Sequence, residues 1–197
     1  LVCLVGSEMC IRDRLGTNNL KKIHFIGVGG AGMSGIAEIL LNMNYKISGS
    51  DNTPSTITKR LEKIGLDFYD FHSAENLKDV DLVVFSSAIK INNPELVEAE
   101  KKGIKVIQRA EMLAFLSELR ESIIFAGSHG KTTTTCITAH IFKENKLDPT
   151  YIIGGKVSSF ESNAKLGNGK HILAEADESD GSFLLFSPDK AVVTLSL

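Results

Sequence analysis

Twice in this chain a short apolar run ends in a glycine loop that opens a helix, and this restricts the possible fold more than any other feature. The first run is residues 23–26, followed by Gly27-Val28-Gly29-Gly30-Ala31-Gly32. The second is residues 122–126, followed by Gly127-Ser128-His129-Gly130 and then Lys131-Thr132-Thr133. A buried strand that feeds a helix through glycines begins a parallel-sheet unit, because parallel strands need a crossover and the crossover is right-handed. Two such starts in one chain imply two α/β units, each with its own sheet.

The rest of the sequence keeps this rhythm. Further strands are expected over 45–48, 82–85, 104–107, 151–153, 171–174 and 191–194, and helices over 33–43, 110–119 and 131–144. Thr53-Pro54 reads as a cap and first turn for a helix carrying Ile57, Leu61 and Ile64 up to Gly65; Asn93-Pro94 opens another that Gly103 stops. The domain boundary is expected near residue 119. Residues 19–119 then form a Rossmann-like parallel-sheet domain, and 120–197 the first part of a P-loop ATPase-type α/β domain. Residues 1–18 are read as a non-native leader: 1–15 fit no periodicity, and VGSEMCIRDR resembles translated adapter read-through, as does Leu195-Ser196-Leu197.

Composition removes several functional classes. A net charge of −2 over 197 residues offers no basic field for nucleic acid or an anionic membrane, so an anionic ligand must be held by local devices. Cys3, Cys10 and Cys136 are too few and too scattered for a disulfide framework or a zinc site. No stretch approaches the roughly 20 apolar residues of a membrane span. The apolar N-terminus lacks a basic region and soon meets Glu8, Arg12, Asp13 and Arg14, so a cytoplasmic setting is expected.

The first loop satisfies G-x-G-x-x-G between a strand and a helix, with Asp51 about twenty residues on, at the end of the next strand. Glycines let the backbone approach a pyrophosphate, and the helix start offers N–H groups and a positive dipole end. Asp51 can accept from a ribose hydroxyl, and Ser34 can either add a hydroxyl to a phosphate or serve as a first-turn helix residue. The motif leaves open whether the nucleotide is NAD(P) or a UDP-sugar.

Gly130-Lys131-Thr132 is the tail of a P-loop: backbone cradle, phosphate lysine and magnesium hydroxyl. The strict spacing fails because Phe125 stands where the first glycine belongs, and the loop opens two residues later at Gly127. Helix-end charge contributes only about 0.3–1 kcal/mol at exposed sites, so Lys131 and a magnesium ion must neutralise most of a triphosphate. Magnesium takes hard oxygens, from Thr132 and from a carboxylate elsewhere. His129 can touch a phosphate or only shape the loop. Glu175-Ala176-Asp177-Glu178-Ser179-Asp180 follows the strand at 171–174, at the sheet end where open α/β sheets place their sites. Four carboxylates in six residues invite a cation or polar ligand, and Glu175 is the expected second magnesium ligand.

Together these segments resemble the Mur ligase family. The carriers are GVGGAGMSGIAE at 27–38, SGSD at 48–51, HSAEN at 72–76, SSAI at 86–89, RAEML at 109–113, GSHGKTTTT at 127–135 and AEADESD at 174–180. The resemblance implies an ATP-dependent amide-bond ligase of peptidoglycan precursor synthesis. Its first domain would bind the UDP part of UDP-N-acetylmuramate through Gly29, Gly30, Ala31, Gly32, Met33 and Ser34, with Asp51, His72 and Ser86 lining the pocket. Gly127, Ser128, His129, Gly130, Lys131, Thr132 and Thr133 would bind ATP, and Thr132 with Glu175 would ligate Mg2+. Lys131, Thr132 and Glu175 are the implied catalytic residues. L-alanine is the implied amine, attacking an acyl phosphate formed on the muramyl carboxylate.

The sequence departs from the family pattern at Ser128, where threonine is usual, at Phe71, where glycine is usual, and at its end, inside the central domain. A chain ending there is expected to bind the UDP-sugar weakly and not to form the amide. The rival readings are a sibling ligase that adds a recycled peptide, an NAD(P)-dependent dehydrogenase, and a non-catalytic nucleotide-binding module.

Overall fold

The computed structural model describes residues 20–155, 162–176 and 182–194. Contacts divide the chain into two compact units, one ending at Arg109 and the other starting at Ala110. The expected boundary near 119 lies just past the helix that spans this division.

The first unit is built on five parallel strands: β1 (Lys22–Ile26), β2 (Lys46–Ser50), β3 (Asp67–Tyr69), β4 (Leu82–Phe85) and β5 (Lys105–Gln108). Their order is β3-β2-β1-β4-β5. The chain thus winds one way from β1 to β3 and the other way from β4 to β5, leaving a switch point between β1 and β4. Ligands of open α/β sheets bind outside the strand ends at such a point. Helices α1 (Ala31–Asn42), α2 (Thr56–Lys63) and α3 (Pro94–Lys101) are the crossovers, and α4 (Arg109–Ser117) follows β5. α1 buries Met33, Ile36, Ala37, Ile39 and Leu40, the burial expected of a helix apolar on nearly every face.

Local chemistry sets the element ends. Ser55, not Thr53, caps α2: its hydroxyl accepts from the Thr58 N–H, and the Thr58 hydroxyl accepts from the Ser55 N–H. Two donors are satisfied reciprocally, which Thr53 before Pro54 cannot match. Asn93 caps α3 as expected, with Pro94 in the first turn. β3, absent from the expected strands, is only three residues long and is formed by pairing with β2.

The second unit has the order β10-β6-β9-β7-β8, with β6 (Glu121–Ala126), β7 (Thr150–Ile152), β8 (Ala164–Lys165), β9 (His171–Glu175) and β10 (Lys190–Val193). All pairs are parallel except β7 with β8. Helix α5 (Lys131–Glu144) follows the second glycine loop. Ile123, Phe125, Ala139, Tyr151, Ile153 and Leu173 form the core cluster of this unit. Among the described residues no helix is long and apolar enough to cross a membrane.

Candidate functional site

The first glycine loop is held by β2. The N–H groups of Gly27 and Val28 both donate to the Ser50 carbonyl, at 2.8 and 3.1 Å. The Gly29 N–H donates to Asp51 Oδ2 at 2.9 Å, and the other oxygen of Asp51 accepts from the Thr53 N–H. Asp51 therefore shapes the loop in this structure. Gly27 has φ +82°, and a Cβ on Gly29 would come within 2.8 Å of the Asp51 carboxylate. At Gly27 the backbone favours glycine, and at Gly29 a side chain would displace the Asp51 carboxylate that holds the loop.

Gly30 opens α1 with no side-chain cap, so the helix start is left to backbone groups. The side chains of Met33 and Ser34 are buried, and the Ser34 hydroxyl donates to the Ala31 carbonyl at 3.0 Å. The Met33 and Ser34 side chains are therefore turned into the unit, and what this first turn offers outward is backbone. Ser86 stands after β4, with its Cβ 3.5 Å from where a Cβ on Gly27 would sit. Gly27 and Ser86 thereby flank the switch point between β1 and β4.

His72 lies beyond β3 and is mostly buried; its Nδ1 is 2.9 Å from Ser50 Oγ and 3.0 Å from Glu95 Oε2. Phe71 is not among the residues with positive φ, so the backbone there does not call for glycine. Sequence reasoning missed Glu95, which the structure brings under this edge of the sheet, and Arg109. The Nη1 of Arg109 lies 3.0 Å from where a Cβ on Gly32 would sit, a cation beside the first turn of α1. Arg109 was legible only as part of RAEML.

In the second unit, Gly127 has φ +124° and Gly130, which opens α5, has φ +82°. Lys131 Nζ donates to the Gly127 carbonyl at 2.6 Å, so this lysine is folded over its own loop. Ser128, His129, Gly130 and Thr133 are exposed. The Thr194 hydroxyl donates to the His129 carbonyl and its N–H to the Ala126 carbonyl, which ties β10 across the loop.

β6 pairs with β9 so that Phe125 faces Glu175, which puts Glu175 at the sheet edge that carries the loop. The Thr132 hydroxyl donates to Glu175 Oε2 at 3.0 Å. Glu175 Oε1 is buried with no hydrogen-bond partner among the described residues. Burial pushes the Glu175 carboxyl above its ordinary value, with Thr132, the Gly154 N–H and Lys131 opposing in part. A buried oxygen without a donor, beside a threonine hydroxyl and near a lysine, fits a hard cation such as magnesium. Thr132 and Glu175 would hold it. Among the described residues no group of three or more His, Cys, Asp or Glu is placed to hold a metal. Asp177, Glu178 and Asp180 of the acidic run lie outside the described residues.

Sequence reasoning also missed Gly154-Gly155. Cβ atoms there would meet Glu175 Oε2 at 3.1 Å and Thr132 Cγ2 at 3.4 Å. The signal was present, a glycine pair directly after strand β7.

The chain is 57% identical over 175 residues to the UDP-N-acetylmuramate–L-alanine ligase of Pelobacter propionicus; the match covers 89% of this chain and 38% of that protein. Among solved structures, it is similar to the UDP-N-acetylmuramate-alanine ligase MurC of Thermotoga maritima, with TM-score 0.81 and 35% identity, covering 87% of this chain and 40% of that one. The UDP-N-acetylmuramate:L-alanyl-gamma-D-glutamyl-meso-diaminopimelate ligase of Neisseria meningitides matches with TM-score 0.80 and 27% identity, covering 91% of this chain and 62% of that one. The model of the Mur ligase family, catalytic domain, matches residues 22–121, and with both glycine loops in place at strand ends of their sheets the chain belongs to the Mur ligase family.

Proposed function

We propose that this chain is the UDP-sugar-binding and ATP-binding part of a ligase that joins L-alanine to UDP-N-acetylmuramate. The observation that carries the reading is the Thr132–Glu175 contact with its unpartnered buried oxygen beside the Lys131 loop. A dehydrogenase built on the first loop alone has no use for that arrangement. The Rossmann-like domain takes residues 19–119, and the start of the ATP-binding domain 120–197.

In this reading the Gly127–Gly130 backbone and the start of α5 cradle the β- and γ-phosphates. Lys131 leaves the Gly127 carbonyl to pair with the γ-phosphate and stabilises charge on the transferring phosphoryl group. Magnesium, when bound, would supply Lewis-acid neutralisation of the phosphate oxygens. The muramyl carboxylate takes the phosphoryl group, the alanine amine attacks the acyl phosphate, and inorganic phosphate leaves as the amide forms. In the first unit the loop from Gly29 to Ser34 receives the pyrophosphate, through the N–H groups of the first turn of α1, since those of Gly29 and Ser34 are taken by Asp51 and by the Gly30 carbonyl; Asp51, His72 and Ser86 line the pocket. ATP and nucleotide sugars are cytoplasmic reagents, so the reading implies a cytoplasmic protein.

The Neisseria meningitides ligase is nearly as similar in shape, and its name describes a peptide as the added group. Identity favours alanine: 35% against 27% for the two structures. Calorimetric titration of the chain with UDP-N-acetylmuramate, NADH and ATP–magnesium tests the reading. Heat is expected with the UDP-sugar and with ATP–magnesium, and none with NADH. Tight NADH binding without a UDP-sugar response overturns it.

Replacing Glu175 by glutamine separates fold from metal. The folded carboxyl sits above its ordinary value, so its stabilising contribution is full below about 4.5 and is lost as pH rises through the folded value. Above that range burying the carboxyl costs the fold something, and at about pH 7 Glu175→Gln is expected to melt no lower than the parent chain. The rise in melting midpoint on adding ATP–magnesium should disappear. If the variant keeps the whole rise, Glu175 is not the ligand.

A further inference from the structure

Strands buried in a parallel sheet are expected to be almost continuously apolar. On one face of the first sheet three strand positions break that rule: His24 on β1, and Ser48 and Ser50 on β2, none with any exposed surface. His24 Nδ1 lies 2.9 Å from the Ser48 hydroxyl. The polar strip converges on one fully buried carboxylate, that of Glu95 in the first turn of α3. Glu95 Oε1 accepts from His24 Nε2 at 3.2 Å and from Asn76 Nδ2 at 2.7 Å. Oε2 accepts from the Ser50 hydroxyl at 2.7 Å and lies 3.0 Å from His72 Nδ1.

Such burial is costly for a carboxylate unless its lone pairs are filled. Here burial, the largest single influence, pushes the Glu95 carboxyl up. The hydrogen bond and charge of His24, with Ser50 and Asn76, more than offset it, and the group lies below its ordinary value. Glu95 is therefore an ionised, acceptor-only group.

Counting protons then places one on His72 Nδ1. The single hydroxyl proton of Ser50 goes to Glu95 Oε2, so toward His72 the Ser50 oxygen is an acceptor, at 2.9 Å. His72 Nδ1 thus faces two acceptors and must itself carry a proton. In its neutral form the ring then presents a bare Nε2 lone pair on its other edge.

We propose that Glu95 is a positioning residue for the first glycine-loop site, locking His72 in the Nδ1–H tautomer so that its Nε2 accepts from a hydroxyl or N–H of the ligand rather than donating to a phosphate. Through Ser50 the same carboxylate is tied to the glycine loop, because the Ser50 carbonyl holds the Gly27 and Val28 N–H groups. The lock rests on these contacts and on Glu95 being ionised; the statement that a sugar or ribose hydroxyl is the donor rests on the UDP-sugar reading.

The test is nitrogen-15 NMR of the histidine rings of this chain at about pH 8, above the ordinary histidine range. The His72 signal is identified by its loss in His72→Gln. His72 is expected to show a protonated Nδ1 and a bare Nε2; a ring protonated at Nε2, or at both nitrogens, overturns the lock. Glu95→Gln turns a donor toward His72 and should move the proton to Nε2, whereas Glu95→Asp should keep it on Nδ1. An unchanged tautomer in Glu95→Gln removes Glu95 from the role, and if that variant does not fold, the parent spectrum decides. UDP-N-acetylmuramate affinity should fall about tenfold or more in Glu95→Gln and recover in part in Glu95→Asp. An Nδ1–H ring in a chain that ignores the UDP-sugar sinks the substrate reading and leaves the lock. An Nε2–H ring in a chain that binds it sinks the lock and leaves the reading.

Discussion

Gly127→Ala is expected to remove ATP–magnesium binding and to destabilise the second unit by more than about 4 kcal/mol. Two effects combine. The residue has φ +124°, which side chains rarely adopt, and strain of this kind alone costs about 1–3 kcal/mol. In addition, a Cβ there would overlap the Thr194 carbonyl oxygen and lie 2.7 Å from its carbon and hydroxyl. That neighbour is backbone, so no rotamer change relieves the overlap. Thr194 is pinned in turn, by its N–H on the Ala126 carbonyl at 2.8 Å and its hydroxyl on the Ala126 and His129 carbonyls. Either β10 leaves the edge of β6 or the loop opens, and both dismantle the phosphate cradle. Urea unfolding followed by circular dichroism, with ATP titration alongside, measures the effect. A variant that melts within about 2 °C of the parent would show that Thr194 does not cross the loop.

Glu95→Ala is expected to cost about 3–5 kcal/mol in the first unit, the range for removing one partner of a buried charged cluster. Alanine leaves His24, Ser50, His72 and Asn76 without their common acceptor, and at least the first two have no access to water. The pH dependence has a definite sign. The folded carboxyl lies below its ordinary value of 4.5, so its contribution is present above that value and is lost as pH falls through the lower folded value. The gap between parent and variant should therefore be widest above about pH 4.5 and close below it. Denaturant melts of both chains at several pH values read this directly. A constant gap down to strong acid would mean that the lost stability is packing rather than charge.

The contrast between these two residues shows what kind of information the sequence carries. Gly127 announces itself: a glycine after a buried strand and before Gly130-Lys131-Thr132 is a local pattern tied to one backbone shape. Glu95 does not. After Asn93-Pro94 it looks like an ordinary first-turn acid, and its partners stand as far as 71 positions away along the chain. The hint lay elsewhere, in His24, Ser48 and Ser50 at alternating positions of strands otherwise fit for complete burial. Read as strand residues they are unremarked; read together on one sheet face they require a shared acceptor.

The same distinction holds for the smaller elements. β3 escaped because Asp67–Tyr69 is three residues long and half-exposed, and strand β2 supplies the partner that makes it a strand. β8 has two residues and exists only by antiparallel pairing with β7. The alternation of long apolar runs and amphipathic helices was legible because periodicity and glycine punctuation are properties of neighbours in the chain. So were the glycine loops and the expectation that Thr132 works with the carboxylate at the end of the strand at 171–174, which the structure brings to its hydroxyl.

By itself, then, the sequence determined two parallel α/β units, the loop that each carries at the end of its first strand, and the residues suited to phosphate and a hard cation. The tertiary structure alone decided which groups meet. It turned Asp51 onto the Gly29 N–H, folded Lys131 over Gly127, brought Glu175 under Thr132, and gathered His24, Ser50 and Asn76 around Glu95 and His72. The physical reason is range. Backbone preferences and hydrophobic period act over a few residues, whereas hydrogen bonds in a buried site are set by strand order and register, which join residues dozens of positions apart.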